Sequence, residues 1–245
     1  METDFEAKDV VVTGAGGSLG AAVVRELLVR GARCHLPARS KIDPRAFGGA
    51  NERVRAVDGV DLADEKAVES FYAALPSPLW ASIHCAGGFA FTPIVETKLA
   101  DFAAQWSINA VTAFLCTREA VKRMRGGSGA GVGGGSGGSG GRIVNVAARP
   151  ALEPRQGAKM AAYTASKAAV AALTLALAEE VAGDGIWVNA VAPSVMDTPA
   201  NRAAMPKADM AKWPTVDDVA ATVVHLASPK NRVARGGVVP VYGRS

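Results

Sequence analysis

The sequence predicts an α/β protein built on a doubly wound parallel sheet, in a single domain spanning residues 1–245. Two observations predict this class. Short apolar runs alternate with longer segments rich in Ala, Leu, Glu and Lys over nearly the whole chain, and a glycine-rich turn follows the first of those runs. Alternation of this kind implies right-handed βαβ units, and therefore a parallel sheet with helices on both faces.

The first half of the chain begins this alternation with DVVVTG, a predicted strand at 9–14. The helically spaced segment that follows stops at a glycine, Gly31. The remaining predictions are, in order, a helix over 20–31, strands over 33–39 and 53–60, a helix over 64–75, and a strand over 80–88.

The second half continues the same pattern around a stretch of unusual composition. Residues 126–141 hold eleven Gly and three Ser, a flexible-loop composition. We interpret this stretch as a surface loop inside the domain, at the sheet edge opposite the ligands, because it joins a helix to a strand. The predicted elements are one long helix or two fused helices over 98–124, a strand over 141–148, a helix over 159–183, and strands over 186–193 and 236–243.

Composition argues against several classes of function. The net charge is +4, and the basic residues are scattered rather than clustered, so no nucleic-acid partner is expected. The three cysteines show no CxxC spacing, which indicates a reducing compartment and no metal site. No signal peptide and no apolar run of about 18 residues are evident, so we expect a cytoplasmic protein and no membrane span.

The turn after the first strand, TGAGGSLG, is the first candidate binding feature. Glycines at such a turn allow the backbone to approach a pyrophosphate closely, and the helix that follows presents its N–H groups. The alternative is an ordinary strand-to-helix turn. The residues assigned to the cofactor phosphates are Gly14, Gly16, Gly17, Ser18, Leu19 and Gly20.

The end of the second strand indicates which dinucleotide binds. An acidic residue there would bond the adenosine ribose, but the chain has Arg39 and Ser40. A guanidinium beside a hydroxyl suits a 2′-phosphate, so NADP(H) is favoured over NAD(H), although a solvated basic turn is the alternative. Further cofactor contacts are predicted after the third and fourth strands, at Asp61, Leu62, Ala86, Gly87 and Gly88.

Tyr163 and Lys167 are the candidate catalytic pair. Their i, i+4 spacing puts them on one helix face, where the ammonium would favour the phenolate and lower the phenol pKa. A lowered pKa makes a phenol a usable general acid or base. By spacing alone such a pair is usually a chance occurrence, but this one follows a strand of a predicted dinucleotide fold.

These motifs together resemble the short-chain dehydrogenase/reductase family, through TGAGGSLG, the AGG after strand four, INA, YTASK and VNAVAPSVMDTP. The resemblance implies a Rossmann fold, hydride transfer between a nicotinamide and a carbonyl-like carbon, and Tyr163 as acid/base. It also implies that Lys167 tunes the phenol and bonds the ribose, and that Asn109 relays to a water near Lys167. Cofactor contacts at Pro193 and Thr198 and a homodimer or homotetramer through the two long helices complete these expectations.

One departure from that family lies at the end of strand five. Aligning IVNVAA with the family pattern puts Ala148 where a catalytic Ser normally stands. Losing one such hydrogen-bond donor typically costs about 2.7–4 kcal/mol of barrier. Tyr163 would still supply a proton and one hydrogen bond.

The segment DTPANRAAMPKADMAKW is similar to dihydropteridine reductases, which also lack that Ser. Their quinonoid substrate is a reactive conjugated acceptor that needs less polarisation, but Arg39 and Asn109 depart from that likeness. We expect the segment after strand six to act as a substrate lid. Substrate contacts are predicted at Ala148, Phe89, Met205 and Trp213, with Trp106 as a further stacking candidate. A non-catalytic NADP-binding sensor or scaffold, and a structural oligomer, are the alternatives.

Overall fold

The computed structural model describes residues 3–48, 52–125 and 140–245, and a seven-stranded sheet forms its centre. The strands are β1 (Asp9–Thr13), β2 (Arg33–Ala38), β3 (Val54–Asp58), β4 (Ala81–His84), β5 (Gly141–Val146), β6 (Ile186–Pro193) and β7 (Val238–Val241). They lie in the order β3-β2-β1-β4-β5-β6-β7, and each neighbouring pair is parallel. The predicted doubly wound parallel sheet is therefore confirmed.

Helices cover both faces of this sheet. They are α1 (Ser18–Val29), α2 (Glu65–Ala73), α3 (Leu99–Trp106), α4 (Thr112–Arg125), α5 (Arg149–Leu152), α6 (Ala161–Glu180), α7 (Pro199–Ala204) and α8 (Val216–Ala227). The sequence prediction missed α8, although the Thr215 hydroxyl caps it by accepting a hydrogen bond from Asp218 N at 3.1 Å. A Thr followed three residues later by an acidic residue is a recognised sign of a helix start.

The predicted long segment 98–124 consists of two α-helices with a π-helical turn between them. The turn spans Ser107–Val111 and joins α3 to α4 without a break in the chain direction. Short π segments inside helices occur frequently at functional sites. The one in this chain carries Asn109.

Alternating residues of each central strand face opposite cores. Val10 and Val12 pack with α1 and α8 on one face, whereas Val11 packs with α2 and α4 on the other. All three valines are fully buried. Both faces of the sheet are thus apolar, as a parallel sheet requires.

The predicted Gly/Ser loop at 126–141 lies almost wholly outside the described residues, and its last glycine, Gly141, opens β5. The residues on both sides of the segment make hydrogen bonds to the same neighbouring turn. The Arg125 guanidinium donates to Asp184 Oδ2 at 2.6 Å, and Gly141 N donates to Gly185 O at 3.2 Å. These contacts lie at the end of the sheet where the strands begin.

Helix α6 corrects one expectation about apolar length. Within the described ranges, it is the one helix long and apolar enough, by composition, to cross a membrane, so the statement that no run reaches that length was wrong. Helix α6 nevertheless packs along β5 and β6 and against α3 and α5. A core helix of an α/β domain passes the same test, so this finding is weak evidence for a membrane span.

Candidate active site

The glycine turn lies against the loop that follows β4. The Thr13 hydroxyl accepts a hydrogen bond from Ala86 N at 3.1 Å, which ties the ends of β1 and β4 together. Gly14 has φ +67°, and a Cβ there would lie 2.6 Å from Ala86 N. Only glycine combines this backbone conformation with so close an approach.

The end of the same motif packs inward. A Cβ on Gly20 would lie 2.2 Å from Gly14 O, so this glycine lets α1 pack directly on the turn. Leu19 is buried in the core cluster formed with α8. The structure therefore gives Leu19 and Gly20 packing contacts. At the start of α1, a Cβ on Gly16 would face open space, and one on Gly17 would lie 3.4 Å from Gly14 O.

A groove of about 470 Å³ runs along the carboxyl ends of β1, β2 and β4. The structure brings nine of the predicted cofactor residues together in its lining. They are Gly14, Gly16, Gly17, Arg39, Ser40, Asp61, Leu62, Ala86 and Gly87. Eight others are not in the lining: Ser18, Leu19, Gly20, Gly88, Tyr163, Lys167, Pro193 and Thr198.

The groove also has a wall that the sequence analysis missed. Ala104, Ile108 and Thr112 line it from the α3–α4 segment. Their spacing of four residues places them on one helix face. That periodicity is the sequence signal that identifies them, since the segment was already predicted to be helical.

Arg39 lies at the end of β2 with its side chain exposed. Its guanidinium makes no hydrogen bond or ion pair with any described residue, unlike Arg45 nearby, which pairs with Asp43. Ser40 is exposed beside it. Five N–H donors are thus available at this end of the groove for an anionic ligand.

Lys167 is buried on α6, and its ammonium donates a hydrogen bond to Val146 O at 2.7 Å. Burial lowers the pKa of Lys167 to about 8, against a smaller opposing effect of the Cys85 thiol. A Cβ on Gly87 would lie 3.1 Å from Nζ, so the ammonium reaches the groove wall.

Tyr163 lies one turn before Lys167, and burial raises its pKa to about 12. The expectation that Lys167 lowers the phenol pKa was wrong for the chain without cofactor. The physical reason is that burial disfavours the charged phenolate and outweighs the favourable effect of the lysine, whose ammonium donates to Val146 O. At neutral pH the phenol is therefore protonated and available as a proton donor.

Asn109 projects from the π-helical turn into a network of protein hydrogen bonds. Its Oδ1 accepts from Gly88 N at 3.0 Å, and its Nδ2 donates to Gly88 O at 3.0 Å and to Ser166 Oγ at 3.1 Å. Gln105 O lies 3.1 Å from the same Nδ2, so the two amide hydrogens are shared among three acceptors. The side chain thus holds the loop after β4, and a water-holding role for it stays a prediction.

The end of β5 offers no hydroxyl near the catalytic pair. Ala147 and Ala148 are buried, and Arg149 turns away to donate to Glu153 Oε2 at 3.0 Å. The ring of Phe89 packs edge to face against the ring of Tyr163, with the ring centroids 5.1 Å apart and the ring planes at 84°. This ring contact places one predicted substrate residue, Phe89, directly against the predicted catalytic phenol.

The predicted lid residues lie after β6, around α7. Thr198 caps α7 by accepting a hydrogen bond from Asn201 N at 3.1 Å, so its hydroxyl already has a structural partner. Met205 and Trp213 are half-buried in this segment. Trp106, on α3, stacks on Phe102 at 6.4 Å.

A phosphate-suited groove at the carboxyl edge of a parallel sheet, with a Tyr/Lys pair beside it, defines a nicotinamide-dependent oxidoreductase. The family model described as short chain dehydrogenase matches residues 8–209, and the chain belongs to this family. It is therefore an NAD(P)-dependent dehydrogenase/reductase.

Relatives of known name span nearly the full length. Galactitol 2-dehydrogenase of Rhizobium johnstonii is 31% identical, over 97% of this chain and 94% of its own. The 3-oxoacyl-(acyl-carrier-protein) reductase FabG of Rickettsia felis is 27% identical, over 98% and 97%. A tyrosine-to-phenylalanine variant of ElxO with NADPH bound supports the fold with a TM-score of 0.84, at 24% identity, covering 96% of this chain and 97% of ElxO.

Proposed function

We propose that the protein is an NADP(H)-dependent reductase in which Tyr163 donates a proton to a carbonyl or to a conjugated cyclic acceptor. The observation that carries this proposal is the position of Tyr163 one turn before the buried Lys167 on α6, with the Lys167 ammonium against Gly87 of the groove wall. Both groups belong to the same rigid helix, so their relative position is fixed before substrate arrives.

The groove fits a dinucleotide that carries an additional phosphate. Glycine backbone at the start of α1 suits a pyrophosphate. The guanidinium of Arg39, which pairs with none of the described residues, suits the 2′-phosphate. The residues that would hold the adenosine end are Arg39, Ser40, Asp61 and Leu62. NADPH supplies a hydride to the reacting carbon.

Within this chain, Tyr163 and Lys167 handle the proton and the developing charge. As negative charge grows on the substrate oxygen or nitrogen, the Tyr163 hydroxyl donates its proton to that atom. The nearby Lys167 ammonium favours the phenolate that results, because an opposite charge stabilises it. Residues Gly88, Pro193, Thr198, Met205 and Trp213 would border the nicotinamide and the substrate.

The second candidate is a quinonoid dihydropteridine reductase. It is favoured by one specific observation, the two buried alanines at the end of β5 where a hydrogen-bond donor is absent. A conjugated quinonoid acceptor requires less polarisation than a ketone. Phe89, perpendicular to Tyr163, offers an aromatic surface against which a flat ring can pack.

The test is the oxidation of NADPH against a panel containing quinonoid dihydropterin, quinones, diketones and β-ketoacyl esters. We expect turnover with at least one panel member, and loss of turnover in Tyr163→Phe. Turnover on the dihydropterin alone would select the second candidate. Tight NADPH binding without turnover, and no effect of Tyr163→Phe, would instead support a non-catalytic sensor or scaffold.

We further propose a homodimer or homotetramer formed through the long helices. Exposed apolar side chains on α3, α4 and α6 support it: Phe102 and Phe114 are 40% and 48% exposed, and Leu175 is 48% exposed. Sedimentation of the protein and of Phe114→Glu tests this assembly, since a charge at the contact should shift the mass towards the monomer. A cytoplasmic location is proposed from the three unpaired cysteines, and cell fractionation tests it.

A further inference from the structure

We propose that Ser166 is a positioning residue that aligns Tyr163 with the cofactor-binding loop after β4, acting through Asn109. The inference rests on the proposed role of Tyr163 as the proton donor. Neither composition nor motif spacing assigned Ser166 a function, because it lies inside the YTASK run between the two residues that attract attention.

The contacts of Ser166 join two parts of the site. The residue is fully buried, and its hydroxyl donates to Tyr163 O at 2.8 Å. The same oxygen accepts from Asn109 Nδ2 at 3.1 Å, across the contact between α6 and the π-helical turn. Both hydrogen-bonding functions of the Ser166 hydroxyl are therefore used.

Asn109 carries this connection on to the loop that lines the groove. It bonds both the N–H and the C=O of Gly88, each at 3.0 Å, so the amide orients the two peptide groups that flank Gly88. The next residue back, Gly87, lines the groove, and a Cβ there would lie 2.7 Å from Asn109 Oδ1. The chain of contacts thus runs from α6 to the groove wall.

The functional consequence follows from how sharply reaction rates depend on geometry. A misplacement of about 1 Å at reacting groups can cost a factor on the order of 10² in rate. Removing the Ser166 hydroxyl frees the Asn109 amide on one side and allows α6 to shift relative to Gly88. The groove that holds the cofactor would remain, so the loss should appear in turnover rather than in binding.

Helix α6 provides a matched control in Thr174. It is also fully buried, its hydroxyl donates to Val170 O at 2.8 Å, and it accepts from Asn145 Nδ2 at 3.0 Å. Its hydrogen bonds are therefore of the same kind as those of Ser166. Its partner Asn145 lies in β5 and contacts His84 within the sheet, rather than Gly87 or Gly88 of the cofactor-binding loop.

The experiment compares Ser166→Ala, Thr174→Ala and Tyr163→Phe in the full-length protein with NADPH and the best substrate of the panel. We expect both alanine variants to lower the melting temperature, and only Ser166→Ala to lower kcat, by about tenfold or more. KM for NADPH should change by less than about threefold in both. Equal kcat in the two alanine variants would overturn the proposal, and if Ser166→Ala does not fold, Ser166→Cys, which keeps the volume but bonds weakly, replaces it.

Two further results distinguish the proposed role of Tyr163 as proton donor from the proposed positioning role of Ser166. If Tyr163→Phe retains full activity, the proposed acid fails, whereas a loss in Tyr163→Phe without one in Ser166→Ala refutes only the positioning role. Because Ser166 acts through Asn109, the double variant with Asn109→Ala should lose no more rate than Asn109→Ala alone. Multiplying effects in the double variant would show that Ser166 acts by another route, and would contradict the proposal.

Discussion

The charge of Lys167 should make the stability of the cofactor-free protein depend on pH in a defined way. Burial holds its pKa at about 8, whereas an unfolded lysine titrates near 10.5. Between these values the unfolded chain binds more protons than the folded chain, so the free energy of unfolding rises with pH. The contribution grows by about 1 kcal/mol from pH 7 to pH 9, and by about 2 kcal/mol at pH 9.5.

The measurement is urea unfolding of the wild-type protein and of Lys167→Met at pH 7, 8 and 9, without cofactor. Other groups titrate in the same range, but their effects cancel in the difference between the two proteins. The wild-type free energy of unfolding should gain about 1 kcal/mol over the variant between pH 7 and pH 9. Lys66→Met, which removes an exposed lysine of α2, serves as the control and should show no such change.

A difference that stays constant with pH would refute the reasoning, because it would mean that Lys167 keeps an ordinary pKa in the folded chain. A difference that falls with pH would mean that the ammonium has a carboxylate partner. The structure shows instead one carbonyl, Val146 O, as its hydrogen-bond acceptor.

Three substitutions test other parts of the site. Arg39→Asp should weaken NADPH binding by tenfold or more and favour NADH, since a lost charged hydrogen bond costs on the order of 1.5–3 kcal/mol. Unchanged NADPH affinity would argue against the phosphate site. So would an equal loss of affinity in the distant control Arg53→Asp. Ala148→Ser should raise kcat on simple ketones by about 10–100-fold, somewhat less than the effect of an optimally placed hydrogen-bond donor. No gain in kcat in steady-state assays would mean that Ala148 does not face the substrate. Gly20→Ala should lower the melting temperature by several degrees, because its Cβ would lie 2.2 Å from Gly14 O, and an unchanged thermal transition would count against that packing.

The sheet was predictable because its signals are local. Apolar runs bounded by turns identified all seven strands, and parallel pairing followed from the helices between them. Helix α8 was missed because its sequence is as apolar as that of a strand, and its Thr215 cap was overlooked. The π-helical turn could not be predicted, since no residue pattern in Ser107–Val111 distinguishes it from an α-helix.

The site shows the same division between local pattern and three-dimensional contact. Spacing placed Tyr163 and Lys167 on one helix face, but the direction of their side chains depends on neighbours distant in sequence. Lys167 donates to Val146 O, and burial of the phenol raises the pKa of Tyr163 rather than lowering it. The proposed role of Ser166 likewise could not be predicted from the sequence, because its partner Asn109 is 57 residues away along the chain.

The residues that flank the glycine-rich segment are fixed by hydrogen bonds far from the catalytic edge of the sheet. Arg125 and Gly141 are anchored where the strands begin, and the six residues of β5 span about 20 Å before the catalytic edge is reached. A peptide tag or a fluorescent label introduced between these anchors would therefore be tethered at the end of the sheet remote from the catalytic edge. A change in the length of the stretch would enter the fold at the same remote end.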